Sequence, residues 1–243
     1  MSSVKDVEYG DDKEEQQTGR MSYRDSVVVA QVSVQIRLGF LRKVYGILTA
    51  QLALTVAVAT LFVTVDSVKS FVRGSPTTML VAAFATFAIL IALLVKKNEH
   101  PTNLYLLAAF TLCEAYTVGV AVTFYDRLIV LEAFFLTLAV FVGLTAFTLQ
   151  SKRDYSTWGA SLFSFLWILI LGGFLQFFIR SDSLDFVISL AGAVVFSGFI
   201  IFDTHMIMHR LSPEDYIVAA INLYLDVLNL FLYILRLLSK DNN

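Results

Sequence analysis

Seven apolar runs, at residues 44–65, 77–95, 104–124, 128–149, 158–179, 186–208 and 217–238, are separated by short polar links. Each is close to the ~20 residues that an α-helix needs to cross ~30 Å of hydrocarbon. The links read DSVKSFVRGSP, KKNEHP, YDR, QSKRDYS, RSDSLD and HRLSPED. They are too short to hold an inserted soluble domain, and they make consecutive helices antiparallel neighbours. Composition agrees, because 57% of residues are hydrophobic and only 16% are charged, whereas a soluble domain is nearer half apolar. The fold class is therefore all-α, a polytopic membrane protein embedded in a lipid bilayer. A net charge of −2 gives no reason to expect nucleic acid as a partner.

Residues 1–35 contain no apolar stretch of signal-peptide length, so the first span is expected to direct insertion. Acidic and polar up to about Gln31, this segment is read as a disordered cytosolic tail; residues 36–240 form the transmembrane domain. Lys and Arg set the orientation. Arg37, Arg42 and Lys43 precede the first span, and alternate links carry Lys96 and Lys97, Lys152 and Arg153, and Arg210. The remaining links carry Lys69 and Arg73, Arg127, and Arg180. The positive-inside rule places the N-terminus in the cytosol. Seven full crossings then leave Arg236 and Lys240 on the opposite side, against the bias. A last segment that enters and returns is the alternative.

Four acids fall within the runs: Glu114, Glu132, Asp203 and Asp226. A carboxylate at bilayer depth costs at least ~2.5–3.5 kcal/mol on insertion scales, and such groups face a bundle interior or a water-filled cavity. Asn222, Asp226, Asn229 and Tyr233 are spaced four, three and four apart, a single stripe on a helix that Arg236 continues. Such a stripe suits a helix surrounded by other helices. It reads either as a polar cavity wall or as a hydrogen-bonded clamp between helices. Asp203 can approach Asp226 across the last tight turn or snorkel alone to the interface. Counted from that turn, Asp226 lies about seven residues deeper, ~10 Å at 1.5 Å per residue, so a break or tilt would have to close the gap. Glu114 sits mid-span with Thr111 and Thr117 three residues to either side. Glu132 is five residues past Arg127 and is read as its ion-pair partner or as meeting water. Ser212-Pro213-Glu214-Asp215 supplies an N-cap, a proline at the first helical position and an acid at the third, marking where the last helix starts.

No G-x-S-x-G, H-E-x-x-H, P-loop or dinucleotide fingerprint is present, so no enzymatic activity and no cofactor are expected. One cysteine, Cys113, and three histidines make a zinc site a poor expectation. An intramembrane aspartyl protease would set one acid in Gly-x-Gly-Asp, whereas Asp203 lies between Phe202 and Thr204 and Asp226 between Leu225 and Val227.

The segments RLGFLRKVYGILTAQL, PTNLYLLAAFTLCEA, TFYD, LTAFTLQSKRDYS, GFIIFDTHMIMHRLSPEDY and AAINLYLDVLNLFLYILRLL, in this order from about residue 34 to the C-terminus, resemble the transmembrane BAX inhibitor motif family, and within it the Golgi anti-apoptotic, or lifeguard, branch. The resemblance implies a seven-helix bundle with the last helix central. It implies a pH-sensitive calcium leak across an internal membrane, the Golgi or alternatively the endoplasmic reticulum, and suppression of cell death. Other cell-death regulators or channels are the partners it suggests. Matched by motif, Asp203 and Asp226 are the pH-sensing dyad, Glu114 is the acid of the third helix, and Lys96 or Lys97 is the basic residue ending the second helix that can lock the dyad.

Two carboxylates in contact in a low dielectric cannot both ionise freely, and the pair titrates in two steps that belong to neither alone. Asp203 and Asp226, with Asn222 and Asn229, offer hard oxygen ligands to a weakly and transiently held calcium ion. The rival classes are a non-conducting membrane protein that acts through partners and a proton-coupled cation carrier.

Overall fold

The structure, a computed structural model, describes residues 3–241, with the side chains of 33–240 other than 76 and 177. The chain divides into two units, Met1–Arg42 and Lys43–Asn243. The expected disordered tail falls almost wholly on side chains outside the described residues; the backbone there belongs to the first helix, α1 (Ser3–Thr64). Apart from Phe40, the buried hydrophobic residues of the described part belong to the second unit.

After α1 come α2 (Asp66–Arg73), α3 (Pro76–Val95), α4 (Thr102–Val122), α5 (Arg127–Gln150), α6 (Gly159–Ile179), α7 (Asp182–His209) and α8 (Tyr216–Asp241). Single 3-10 turns at Ser156–Trp158 and Pro213–Asp215 precede α6 and α8. There is no strand among the described residues. Seven of these helices carry stretches long and apolar enough to cross a membrane. The exception, α2, lies in the link DSVKSFVRGSP between the first two spans. Val68 and Val72, one turn apart, pack against Phe62, Tyr116 and Val120. Asp66 in its first turn and Arg73 in its last complement the helix dipole.

Side chains fix several helix starts. The Asp126 carboxylate accepts the Leu128 N–H at 2.8 Å and the Ser181 hydroxyl accepts that of Leu184 at 3.4 Å, each satisfying a donor the helix leaves open. Ser212 caps as its sequence implies, accepting the Glu214 N–H at 3.4 Å. The turn it caps is 3-10, however, and α8 proper begins at Tyr216. The acid at the third position, Asp215, reaches away from the cap to Lys97, 2.7 Å from its ammonium.

The last helix is central. In α8, 61% of the membrane-length window is buried, against 44% or less in every other span. It packs on α7, α5 and α4 and is tied to α1 by a 2.8 Å bond between the Tyr224 and Thr55 hydroxyls. On the outside, α3 packs on α4 and α6 on α7. The question of a returning last segment is also answered. Lys240, at the end of α8, pairs with Asp185 at 2.9 Å and donates to the Asp182 carbonyl at 2.6 Å, both in the first turn of α7. So α8 runs the full length of α7 in the opposite direction. Its terminal positive charge is answered by acids of the neighbouring helix, which offsets the departure from the charge bias.

Candidate functional site: two carboxyls between the last two helices and an adjacent cavity

Asp203 of α7 and Asp226 of α8 are both buried, with 7% and 6% of their surface exposed. Their carboxyls lie close enough to interact, and Asn222 lies beside Asp203. Asp203 is therefore not a lone group reaching for the interface.

No break or tilt is needed to bring the pair together. The 3-10 turn at Pro213–Asp215 takes up part of the height counted from sequence. Asp203 is six residues from the end of α7, Asn222 six from the start of α8, and Asp226 ten. Asp203 is thus level with Asn222 and one turn, ~6 Å, from Asp226. Side chains on a helix lean toward its N-terminus. Because the helices are antiparallel, Asp203 leans away from the connecting turn and Asp226 toward it, and the two leans close the remaining distance. The second oxygen of Asp226, Oδ2, is buried without a protein hydrogen-bond partner. One residue past Asp203, the buried hydroxyls of Thr204, Tyr45 and Thr145 gather.

The polar stripe of α8 splits between two neighbours. Asp226 and Tyr233 turn to α7, where Tyr233 stacks on Phe196 with centroids 5.8 Å apart. Asn229 and Arg236 turn instead to α4 and line a cavity of about 240 Å³ with Glu114, Thr117 and Tyr125. Glu114 is half-buried there. The Asn229 amide donates to the Leu225 carbonyl at 2.8 Å and Thr117 donates to that of Cys113 at 3.0 Å, which leaves oxygen lone pairs of both to the cavity. The structure so unites Asp203, Asp226 and Asn222 at one locus and Glu114 and Asn229 at a second, one turn along the same helix. Asn222 retains exposed surface. Among the described residues, no group of three or more His, Cys, Asp or Glu converges as a metal cradle.

Neither lysine is paired with the dyad in this structure. Lys96 pairs with Glu99 and Lys97 with Asp215, each at 2.7 Å. Both lie past the end of α3, and Asp226 is eleven residues beyond Asp215, ~16 Å along the helix. Instead the lysines belong to a collar around the start of α8. In this collar the Asn103 amide reaches the Tyr216 hydroxyl at 3.3 Å and the Lys43 ammonium lies 3.2 Å from the Tyr216 ring centroid. Arg127 is directed to Asp66, at 3.7 Å, rather than to Glu132, which is exposed.

Sequence reasoning passed over two features. Gln51 and Thr55, one turn apart in the first run, bond Thr111 of α4 at 3.0 Å and Tyr224 of α8 at 2.8 Å; two polar residues at helical spacing in an apolar run were the available signal. The other is Asp154, whose partners are remote in sequence.

Comparison with known proteins fits this arrangement. Residues 37–243 match the family model described as Inhibitor of apoptosis-promoting Bax1. The chain is 51% identical over 214 residues to the Golgi anti-apoptotic protein of Vaccinia virus (strain Lister), covering 88% of this chain and 90% of the relative. It is likewise 51% identical over 214 residues to Protein lifeguard 4 of Mus musculus, with coverage of 88% and 90%. To Bax inhibitor 1 of Schizosaccharomyces pombe it is 42% identical over 226 residues, covering 91% and 85%. The chain belongs to the Bax inhibitor family.

Proposed function

We propose that this protein is a pH-sensitive calcium leak channel of an internal membrane, most simply the Golgi, that lowers stored calcium and so suppresses apoptosis. The observation that carries the reading is the buried contact between Asp203 and Asp226, set beside a cavity that receives Glu114 and Asn229. A pair of carboxyls that shares a proton changes its contacts when the proton leaves, and the two helices that carry it pack along their whole length. Loss of the shared proton alters the hold of α7 on the central helix, which is where a constriction would open. The permeant ion meets oxygen ligands from the dyad, Asn222, Asn229 and Glu114, which suit a hard cation. Two carboxyls and amide oxygens hold it weakly enough for it to leave again. Suppression of apoptosis and the Golgi location are supported by relatives named for them. The positive-inside rule puts the end carrying Lys96, Lys97, Lys152, Arg153 and Arg210 in the cytosol.

The test is purified full-length protein in calcium-loaded vesicles, assayed across pH. Flux that changes with pH in the protein's presence supports the channel. An absence of flux at every pH, with cell-death suppression retained in cells, would instead identify a protein that acts through partners. Saturable exchange with proton counter-movement would identify a carrier.

A further inference from the structure

The link between α5 and α6 carries a charge cluster that the dyad reading does not use. Asp154 lies there, outside the spans. Its Oδ1 accepts the backbone N–H of Ser156 at 2.9 Å and lies 2.9 Å from Nε2 of His205. Its Oδ2 accepts a guanidinium N–H of Arg210 at 3.0 Å. The His205 side chain is buried, with 7% exposed, and stands two residues after Asp203 on α7. The Ser156 N–H above all, then the Ser156 hydroxyl, Arg210 and His205, hold the Asp154 carboxyl well below the usual carboxylate range. It is an acceptor only, so Nε2 of His205 carries a hydrogen and donates it. The charged or titratable groups recorded around His205 are Asp154 and Tyr155 from the link and His209 from its own helix; the Tyr155 and His209 ring centroids lie 5.6 and 4.7 Å away. Arg210 shares its acceptor.

One carboxylate, fixed by its own 3-10 turn, therefore grips the end of α7 at two points. The contact between Asp203 and Asp226 demands that both helices keep their height and their rotation. A one-residue slip turns a helix by about 100° and would carry Asp203 off α8. The start of α8 is held by the pair between Lys97 and Asp215; the end of α7 is held by Asp154. We propose that Asp154 is a positioning residue for the dyad, fixing α7 through His205 and Arg210 so that Asp203 meets Asp226. The proposal rests on the reading of that pair as the pH sensor.

The experiment follows the dyad directly. In full-length protein in phosphatidylcholine nanodiscs, the infrared band of the protonated carboxyl, assigned by its loss in Asp226→Asn, is titrated with pH in wild type, Asp154→Ala and Asp154→Glu. Calcium flux is measured on the same variants in phosphatidylcholine vesicles. Asp154→Ala is expected to displace the midpoint of the band by about half a pH unit or more and to displace the pH profile of flux with it. Asp154→Glu, which keeps the charge, is expected to restore both toward wild type. A band midpoint unchanged in Asp154→Ala overturns the positioning role whatever the flux. A displaced midpoint in a protein that conducts nothing upholds the positioning role while sinking the channel. Should Asp154→Ala fail to fold, the histidine ¹⁵N spectrum of Asp154→Asn decides. A wild-type His205 signal there, with a displaced band midpoint, would also overturn the assignment.

Discussion

Asp226 is the residue on which pH sensing turns. Replaced by asparagine, it still fills its space and still offers Asp203 a hydrogen-bond donor, but the pair loses its second titrating group. Asp226→Asn is expected to remove most of the pH dependence of calcium flux in vesicles while some flux remains; an unaltered pH profile would take the dyad out of the mechanism. Glu114 acts at the second locus. Glu114→Gln keeps the shape of the cavity wall and removes its charge, so flux is expected to fall with little change in melting temperature. Wild-type conductance in that variant would reduce Glu114 to packing. Asp154 makes a prediction about stability. Its folded-state carboxyl titrates below the unfolded value of ~3.9, so what it contributes is present above that value and is lost as pH falls through the lowered one. The melting-temperature deficit of Asp154→Asn should therefore be present at both pH 6 and pH 8. A deficit that disappears at either pH would contradict the acceptor role given to Asp154.

At the scale of helices, the hairpin of α7 and α8 has a close approach of a ring to a backbone near its middle, a polar contact toward one end and a charged collar at that end. Gly192 makes the close approach possible. A Cβ there would lie 2.6 Å from three atoms of the Tyr233 ring, and that ring is held flat by Phe196 one turn away. Gly192→Ala should cost ~1–3 kcal/mol as an overpacked contact, read as a lowered melting temperature in detergent. The displacement also pushes α8 from α7 at a point two turns beyond Asp226, so the pH profile of flux should shift as well. A variant with wild-type stability and profile would show that the ring simply moves aside. The division of the polar stripe between two neighbours belongs to this scale too. Positions 226 and 233 share one line of the helix and 229 and 236 the adjacent line, so a stripe that looks continuous in sequence serves two loci.

For the whole molecule, the ion pair of Lys240 with Asp185 and its bond to the Asp182 carbonyl set the topology. They hold α8 antiparallel along the whole of α7, so α8 crosses wherever α7 does, and a count of seven spans then places the two ends of the membrane domain on opposite sides. Cys113 is the only cysteine, so a Cys113→Ser background allows single cysteines to be placed at 97, 210 and 240. In sealed vesicles an impermeant thiol reagent should label 97 and 210 from one face and 240 from the other. Labelling of all three from the same face would restore the returning last segment and overturn the arrangement of α8 described above.

The number of spans, the all-α class and the presence of acids at bilayer depth were determined by sequence alone. Twenty apolar residues in a row have few other fates, and a carboxylate among them stands out against its own cost. Spacing along one helix also marked Asn222, Asp226, Asn229, Tyr233 and Arg236 as neighbours. What the tertiary structure decided was every relation across helices. The meeting of Asp203 and Asp226 depends on a 3-10 turn and on the opposite leans of antiparallel side chains, neither of which a residue count contains. The lysines just past α3 were free, in sequence terms, to reach the dyad; in the structure they pair with Glu99 and Asp215 instead. Asp154 finds His205 and Arg210 across more than fifty residues because a short link happens to close over the end of α7. Local periodicity is a property of one helix, whereas a site between helices is set by how they stack, and that is fixed only when the whole chain has packed.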